Sequence, residues 1–402
     1  MFGIDAEVDG MVYATLAAAP VFGAKVKSVD STKAEAIKGV SDVVDLGDAV
    51  AVVANSYWTA KKGVSALNIE WQKVSENSVN SKGIFDQFQN DIASAIDGGG
   101  VKSDRDAGDA GSAFGAASRV IEREYRVPYL AHACMEPMNA LAVVENDTCE
   151  VWTGSQNPLG FRHEIAAALE IDAANVTMNN MFLGGGFGRR ASPDTAIQAA
   201  KIAQQVGKPV KLIWSREEDI QHDIYRPAIL SQFRAALDDA GRPVAWENHY
   251  VDKHEPAEAP LIPYSIENQS IGSVDSPTHV PFGPWRSVDH SQHGFFTESF
   301  MDELAAEAGQ DPYEFRLERL KAHPRHTKVL QLAAEKSNWA APLPKGKGRG
   351  IALQESFGSI VAEVVEVTVT DGKVSVDNVT IAVDAGFAVS PDGLKAQMES
   401  GV

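Results

Sequence analysis

Gly184-Gly185-Gly186-Phe187-Gly188-Arg189-Arg190 lies between an apolar run and a helix-like run, four glycines and two arginines in seven residues. Glycine takes positive φ and lets another group come close to the main chain. A helix starting just beyond such a loop leaves its first N–H groups without intrahelical acceptors. Together with the positive end of the helix dipole they make an anion site, and Arg189 and Arg190 bring charge suited to phosphate. The stretch therefore predicts a cradle for a phosphate-bearing cofactor. A tight strand-to-helix turn with no ligand is the simpler alternative.

The basic pair runs against the rest of the chain. The 402 residues carry a net charge of −19, which argues against nucleic acid or an anionic membrane surface as the main partner. An apolar content of 44% is ordinary for a globular protein, and the length admits two or three domains. Cys134 and Cys149 are the only cysteines. That is too few for a thiolate-held iron–sulfur cluster, which takes four, or for a disulfide framework. The ten histidines form no H-x-x-x-H or H-E-x-x-H pair, so no metal ligands are assigned and a zinc hydrolase is not indicated. No apolar run approaches the roughly eighteen residues of a membrane span. The first ten residues hold Asp5, Glu7 and Asp9 without Lys or Arg, the wrong sign for a secretory leader. Localisation stays open between cytoplasm and periplasm.

The pattern reads as an α+β or mixed α/β protein. Residues 1–75 alternate β-like runs (Met11–Leu16, Ala49–Val53, Ala66–Trp71) with a helix near Ser56–Val64, a small α+β unit. Residues 76–115 are rich in Ser, Asn, Asp and Gly and read as a polar connector, with a helix over Ile84–Ile96 as its one candidate element. Residues 116–402 are denser. Strand-like runs at Ala140–Thr153 and Val210–Trp214 flank helices at Phe161–Leu169 and Asp194–Val206. Helices follow at Phe295–Ala308 and Pro312–Leu320, the second with Asp311 as N-cap. A hairpin turns at Asp371-Gly372, and a last helix starts near Pro391. Both chain ends read as cuts through a longer protein.

Gly186–Ala191 fits the G-x-G-x-x-G/A pattern of dinucleotide folds, but the acid expected about twenty residues on is replaced by Gly207-Lys208-Pro209. A nicotinamide- or flavin-dependent dehydrogenase (NAD or FAD) thus remains only an alternative. Four segments favour another reading. His132-Ala133-Cys134-Met135-Glu136-Pro137-Met138-Asn139, Ser155-Gln156-Asn157-Pro158, Phe182–Gly188, and Gly283-Pro284-Trp285-Arg286-Ser287 leading into Glu298–Ala305 resemble, in order, the molybdenum-binding region of the xanthine oxidase and aldehyde oxidase superfamily. The wording Met-Glu-Pro-Met-Asn, Gly-Arg-Arg and Pro-Trp-Arg-Ser is closest to the isoquinoline 1-oxidoreductase β-subunit branch. Within that branch, Phe2-Gly3-Ile4-Asp5 through Trp71 is similar to the a/b hammerhead domain. The resemblance implies a hammerhead-like domain at 1–75 and an incomplete molybdopterin-binding domain over 116–402.

It also implies a cofactor, molybdenum on molybdopterin in the cytosine dinucleotide form. In that family the cofactor hydroxylates a carbon of an aldehyde or small aromatic N-heterocycle, water supplies the oxygen, and two electrons leave through iron–sulfur clusters. The 2Fe-2S clusters would sit on a separate subunit. By resemblance Gln156 lies beside an oxygen ligand of the metal, Phe187 and Gly188 touch the metal–pterin unit through main chain, with Gly185, Gly186 and Arg189 in the same loop, and Arg286 supports the cofactor. Each has a plainer reading: Gln156 as a turn residue, Arg286 paired with Asp289, Trp285 as a core aromatic. His132 and Glu136 are acid/base candidates by type, with satisfaction of buried backbone groups the commoner role. The acidic run Glu217-Glu218-Asp219 reads as a solvated loop. The family's general base, a glutamate in a Gly-Val-Gly-Glu-like segment, would lie beyond the helix holding Gln397-Met398-Glu399-Ser400. No catalytic residue is therefore expected within this chain, and the fragment alone is expected to be inactive. A non-catalytic remnant of the same fold is the third reading.

Overall fold

The structure, a computed structural model, describes residues 1–251 and 258–402. They divide into two compact units, one of Met1–Ile84, Pro128–Ala228 and Pro277–Arg286, the other of Phe85–Val127, Ile229–Ser276 and Ser287–Val402. The chain thus passes repeatedly between units, and the divisions expected at 75 and 115 do not coincide with them.

The first unit is built on a seven-stranded mixed sheet. Its strand order is Val176–Asn180, Thr148–Thr153, Asn139–Glu145, Val210–Ile213, Val12–Ala18, Ala49–Ala54, Val40–Asp45. Ala49–Ala54 is apolar at every position and buried at every position, the mark of a strand covered on both faces. Val12–Ala18 pairs with it on one side and runs parallel to Val210–Ile213 on the other, Val12 opposite Val210. Residues 1–75 therefore share one sheet with strands from the following region instead of forming a free-standing unit. Left alone, the outer edge of Val12–Ala18 would present a row of unpaired N–H and C=O groups. Helices Pro158–Leu169 and Asp194–Val206 add Phe161, Ile165, Ala199 and Ile202 to the core of this sheet. The second of these spans the residues its periodicity predicts.

The supposed connector is structured: helix Ser81–Gly98, strand Lys102–Ala107 and helix Ala110–Ala116. Ile84, Phe88 and Ile92 fall on one helical stripe and are buried, a spacing masked by the polar composition around them. Lys102–Ala107 pairs with Asn268–Val274 at the edge of the five-stranded sheet of the second unit. That sheet continues through Pro243–Val251 and Ile229–Leu237 to Arg119–Val127. Phe233, Trp246 and Phe300 form its aromatic centre, with ring centroids 5.1 to 5.4 Å apart. A separate antiparallel sheet holds Lys347–Ser356, Ser359–Thr370 and Lys373–Asp384, and its hairpin turns at Asp371-Gly372 as predicted. The helix expected at Phe295–Ala308 runs from His290 to Glu307. Its first turns carry no apolar signal because His290, Gln292 and His293 are polar yet buried. Among the described residues, no helix is long and apolar enough to cross a membrane.

The acidic run at 217–219 belongs to a short helix, Arg216–Gln221, capped by Ser215, and is not a solvated loop. Asp219 is buried, and desolvation raises its carboxyl pKa against the opposing pull of Arg216. Glu218 lies 2.7 Å from His222 Nδ1, while His222 Nε2 meets the Ala19 carbonyl at 3.1 Å. Burial disfavours the imidazolium, but Glu218 and the Ala19 carbonyl outweigh it and raise the pKa of His222. Folded-state protonation is then favoured, so this stabilisation is full below the unfolded histidine value of about 6.5 and fades as pH rises through the higher folded value. His222→Gln should accordingly lower the melting temperature at pH 6, by an amount equivalent to about 1 kcal/mol. The gap to the parent should narrow at pH 9 in a thermal unfolding series.

Candidate functional site

The segment holding Gln156 is fixed on both flanks. Strand Thr148–Thr153 delivers the chain to Ser155, whose N–H donates to Asn180 Oδ1 at 2.9 Å. Asn157 N–H donates to Ser155 Oγ at 2.9 Å, and Asn157 caps helix Pro158–Leu169 by accepting from Gly160 N–H. Ser155 and Asn157 are the turn and cap residues here, while Gln156 between them is exposed. Gln156 N–H donates to the Arg190 carbonyl at 2.9 Å, and its side-chain Oε1 accepts from Gly188 N–H at 3.1 Å. With Oε1 engaged, the NH₂ is the end of the amide left to donate outward.

The loop itself is shaped by close approaches. A Cβ on Gly186 would come within 2.7 Å of Gln156 Oε1, and one on Gly188 within 1.8 Å of the Pro284 carbonyl oxygen. Gly188 also sits at φ +109°, and the half-exposed Phe187 at φ +55°, an uncommon conformation for a non-glycine residue. Gly184 N–H is taken by Glu136 Oε2 at 2.8 Å. Among the described residues, the main-chain N–H groups of Gly185, Gly186 and Phe187 meet no acceptor. Buried backbone donors are almost always paired, and Gly186 is buried. Successive N–H groups around left-handed residues form a concavity that suits an anion or another acceptor.

The arginine pair does not present its charge to that concavity, which corrects the expectation for Arg189 and Arg190. Both side chains are buried, at 1% and 0% exposure. Arg189 donates Nη1–H and Nη2–H to Asp194 at 2.9 and 2.7 Å, and its Nε lies 2.8 Å from Asp223 Oδ1. Burial works against this charge, but Asp194 and Asp223 more than offset it and hold the guanidinium protonated. Arg190 donates to the Gly185 and Glu136 carbonyls, both at 2.8 Å, and to Glu136 Oε2 at 3.1 Å. The helix starts where its periodicity predicts, at Asp194, and so does not follow the loop directly. A 3₁₀ turn covers Arg189–Ala191, and Asp194 occupies the first turn of the helix. The free N–H groups are therefore those of the loop.

Glu136 and Asp223 tie the loop down. Glu136 Oε1 accepts from Ile4 N–H at 3.0 Å and from Asn139 Nδ2–H at 2.9 Å, which joins the N-terminal segment to the loop. Asp223 Oδ2 accepts from His132 N–H at 2.5 Å and lies 3.0 Å from His132 Nδ1. His132 Nε2 is 2.9 Å from the Pro284 carbonyl, and the Trp285 ring leans on the imidazole at 4.7 Å. Trp285 is thus half-buried against His132 rather than inside a core. Cys134 donates Sγ–H to the Gly186 carbonyl at 3.5 Å, and burial pushes its thiol pKa up. Arg286 is exposed two residues beyond Pro284. The structure thus brings Gln156, Gly186, Gly188 and Pro284 together. Asp223 and Asp194, which decide where Arg189 points, carried no signal: Asp223 is 91 residues from His132, and nothing local marks it.

The molybdopterin cofactor-binding domain family matches residues 97–320. The chain belongs to that family. The kinship with molybdenum-binding subunits of the xanthine oxidase and aldehyde oxidase superfamily therefore holds. The isoquinoline 1-oxidoreductase subunit beta of Brevundimonas diminuta is 29% identical over 431 residues, covering 100% of this chain and 55% of the relative. A protein of Gluconacetobacter polyoxogenes named as a membrane-bound, pyrroloquinoline-quinone aldehyde dehydrogenase is 32% identical, covering 99% and 58%. The chain thus spans little more than half the length of these curated relatives. Crystallised quinoline 2-oxidoreductase from Pseudomonas putida 86 shares the fold at a TM-score of 0.70 and 19% identity, over 88% of this chain and 55% of that one. Aldehyde oxidoreductase from Desulfovibrio gigas shares it at 0.69 and 20% identity, over 94% and 50%.

In this molybdopterin-binding fold the two arginines act as internal anchors. Arg189→Met should cost about 3–5 kcal/mol, because Asp223 and Asp194 would lose the cation that compensates them. Thermal or denaturant unfolding checks this. A variant as stable as the parent would return Arg189 to the role of a surface anion contact.

Proposed function

We propose that this chain forms part of the large subunit of a molybdenum hydroxylase acting on an aldehyde or a small aromatic N-heterocycle. The carrying observation is the row of three main-chain N–H groups at Gly185, Gly186 and Phe187 without acceptors among the described residues, beside a glutamine amide with its NH₂ left to donate. These donors fit a pterin-bound metal centre, whose outward atoms are acceptors. The cofactor, when bound, supplies the oxidative chemistry, with water as the oxygen source.

The residues present bind and orient. Gln156 would donate Nε2–H to an oxygen on the metal, held at that angle by Gly188 N–H on its Oε1. Gly185, Gly186, Phe187 and Gly188 would face the cofactor with main chain, where a Cβ at Gly186 or Gly188 would collide with Gln156 or Pro284. Arg189 and Arg190 are turned inward, so Arg189 would contribute only through its backbone, and the exposed Arg286 would meet an anionic part of the cofactor. Glu136, Asp194 and Asp223 are each ion-paired, so none is assigned as the general base.

Two finer features belong to the same proposal. The cofactor would be the cytosine dinucleotide form, following the isoquinoline-type resemblance. The iron–sulfur clusters would sit on a separate subunit, in keeping with the name of the Brevundimonas relative as a subunit beta and with just two cysteines, both buried, in this chain.

The test is to produce the protein from its native gene in a host that makes the molybdenum cofactor, and to assay bound molybdenum, pterin, nicotinamide or flavin dinucleotide, and pyrroloquinoline quinone. Near-stoichiometric molybdenum and pterin are expected. A bound dinucleotide or quinone without molybdenum would replace the proposal, and a protein empty of all four would favour the non-catalytic reading. In the loaded enzyme, Gln156→Ala should lower kcat by about 10²-fold, the scale for removing one preorganised donor. Unchanged turnover of an N-heterocycle would remove Gln156 from the site.

A further inference from the structure

We propose that His132 is a positioning residue, holding the Pro284 carbonyl against Gly188 and so setting the gap between the glycine loop and the 283–286 segment. The inference rests on the molybdopterin reading above for the purpose of that gap, though not for its geometry. The imidazole is buried and gripped at one end, where Asp223 Oδ2 takes both the main-chain N–H and Nδ1 of the same residue, at 2.5 and 3.0 Å. Asp223 is itself held by Ile224 N–H at 2.7 Å and by Arg189 Nε at 2.8 Å. The ring plane therefore has little freedom, and Nε2 is carried to 2.9 Å from the Pro284 oxygen.

The Pro284 carbonyl is wedged from the other side by Gly188, where even a Cβ would reach to 1.8 Å of it. Gly188 N–H in turn sets Gln156 Oε1. A continuous chain of contacts thus runs Asp223, His132, Pro284, Gly188, Gln156. Moving the first shifts the last.

A purely structural histidine would serve only to bond Asp223, and the two roles separate by substitution. Asparagine places its amide nitrogen near the position of Nδ1 and keeps the Asp223 contact. Glutamine reaches toward the position of Nε2 and keeps the Pro284 contact. The experiment compares His132→Asn, His132→Gln and the parent, each made from the native gene. One readout is amide hydrogen exchange across 283–286 in cofactor-free protein, and the other is molybdenum per protein after production in the cofactor-making host. His132→Asn should exchange at least about tenfold faster there, the effect of losing one hydrogen bond, and lose most of its molybdenum. His132→Gln should stay near the parent in both. The inference is overturned if His132→Asn matches the parent in exchange, or if the two variants loosen the segment equally. Should His132→Gln fail to fold, the comparison of His132→Asn with the parent still decides. A parent without molybdenum would defeat the functional reading separately, since the exchange readout needs no cofactor.

Discussion

Two guanidinium groups turned inward beneath the glycine loop are the constraint on which the site depends. Arg189 and Arg190 follow the last glycine directly, and both are buried against carboxylates, Asp194 five residues on and Asp223 and Glu136 from distant parts of the chain. Burying charge is unfavourable unless every partner is in place, so the pairs enforce the arrangement of Asp194, Asp223 and Glu136 together. Glu136 carries the constraint to Ile4 and Gly184, and Asp223 carries it to His132. The loop is thus held from below by side chains, and its outer face is left to main-chain donors.

This arrangement changes what the glycines are for. The motif suggested a basic phosphate cradle at a helix start, with charge as the attraction. The structure has the charge beneath the loop and the helix start beyond a 3₁₀ turn. What the loop offers outward is geometry: the N–H groups of Gly185, Gly186 and Phe187, and a glutamine amide oriented by Gly188. Such preorganised dipoles suit a cofactor that must be oriented as well as held.

Local elements were legible wherever a local pattern defines them. Helix Asp194–Val206, the Asp371-Gly372 hairpin and the capped helix after Asp311 fall where periodicity and turn chemistry place them. The segment Ser155–Pro158 was legible as a turn, and its match to a known family singled out Gln156. What escaped were pairings across long sequence separations. Nothing near Val12 shows that it will run beside Val210, and nothing near Arg189 shows that it will point at Asp223 instead of solvent. The stripe of Ile84, Phe88 and Ile92 was present in the sequence but diluted by polar neighbours.

The central claim is that the glycine loop meets molybdopterin through its backbone. A crystal structure of the cofactor-loaded protein tests it most directly. The account predicts cofactor acceptor atoms within hydrogen-bond distance of the N–H groups of Gly185, Gly186 or Phe187, with Arg189 still paired to Asp194 and Asp223. A cofactor bound away from this loop, or one gripped by an outward-turned Arg189, would contradict it.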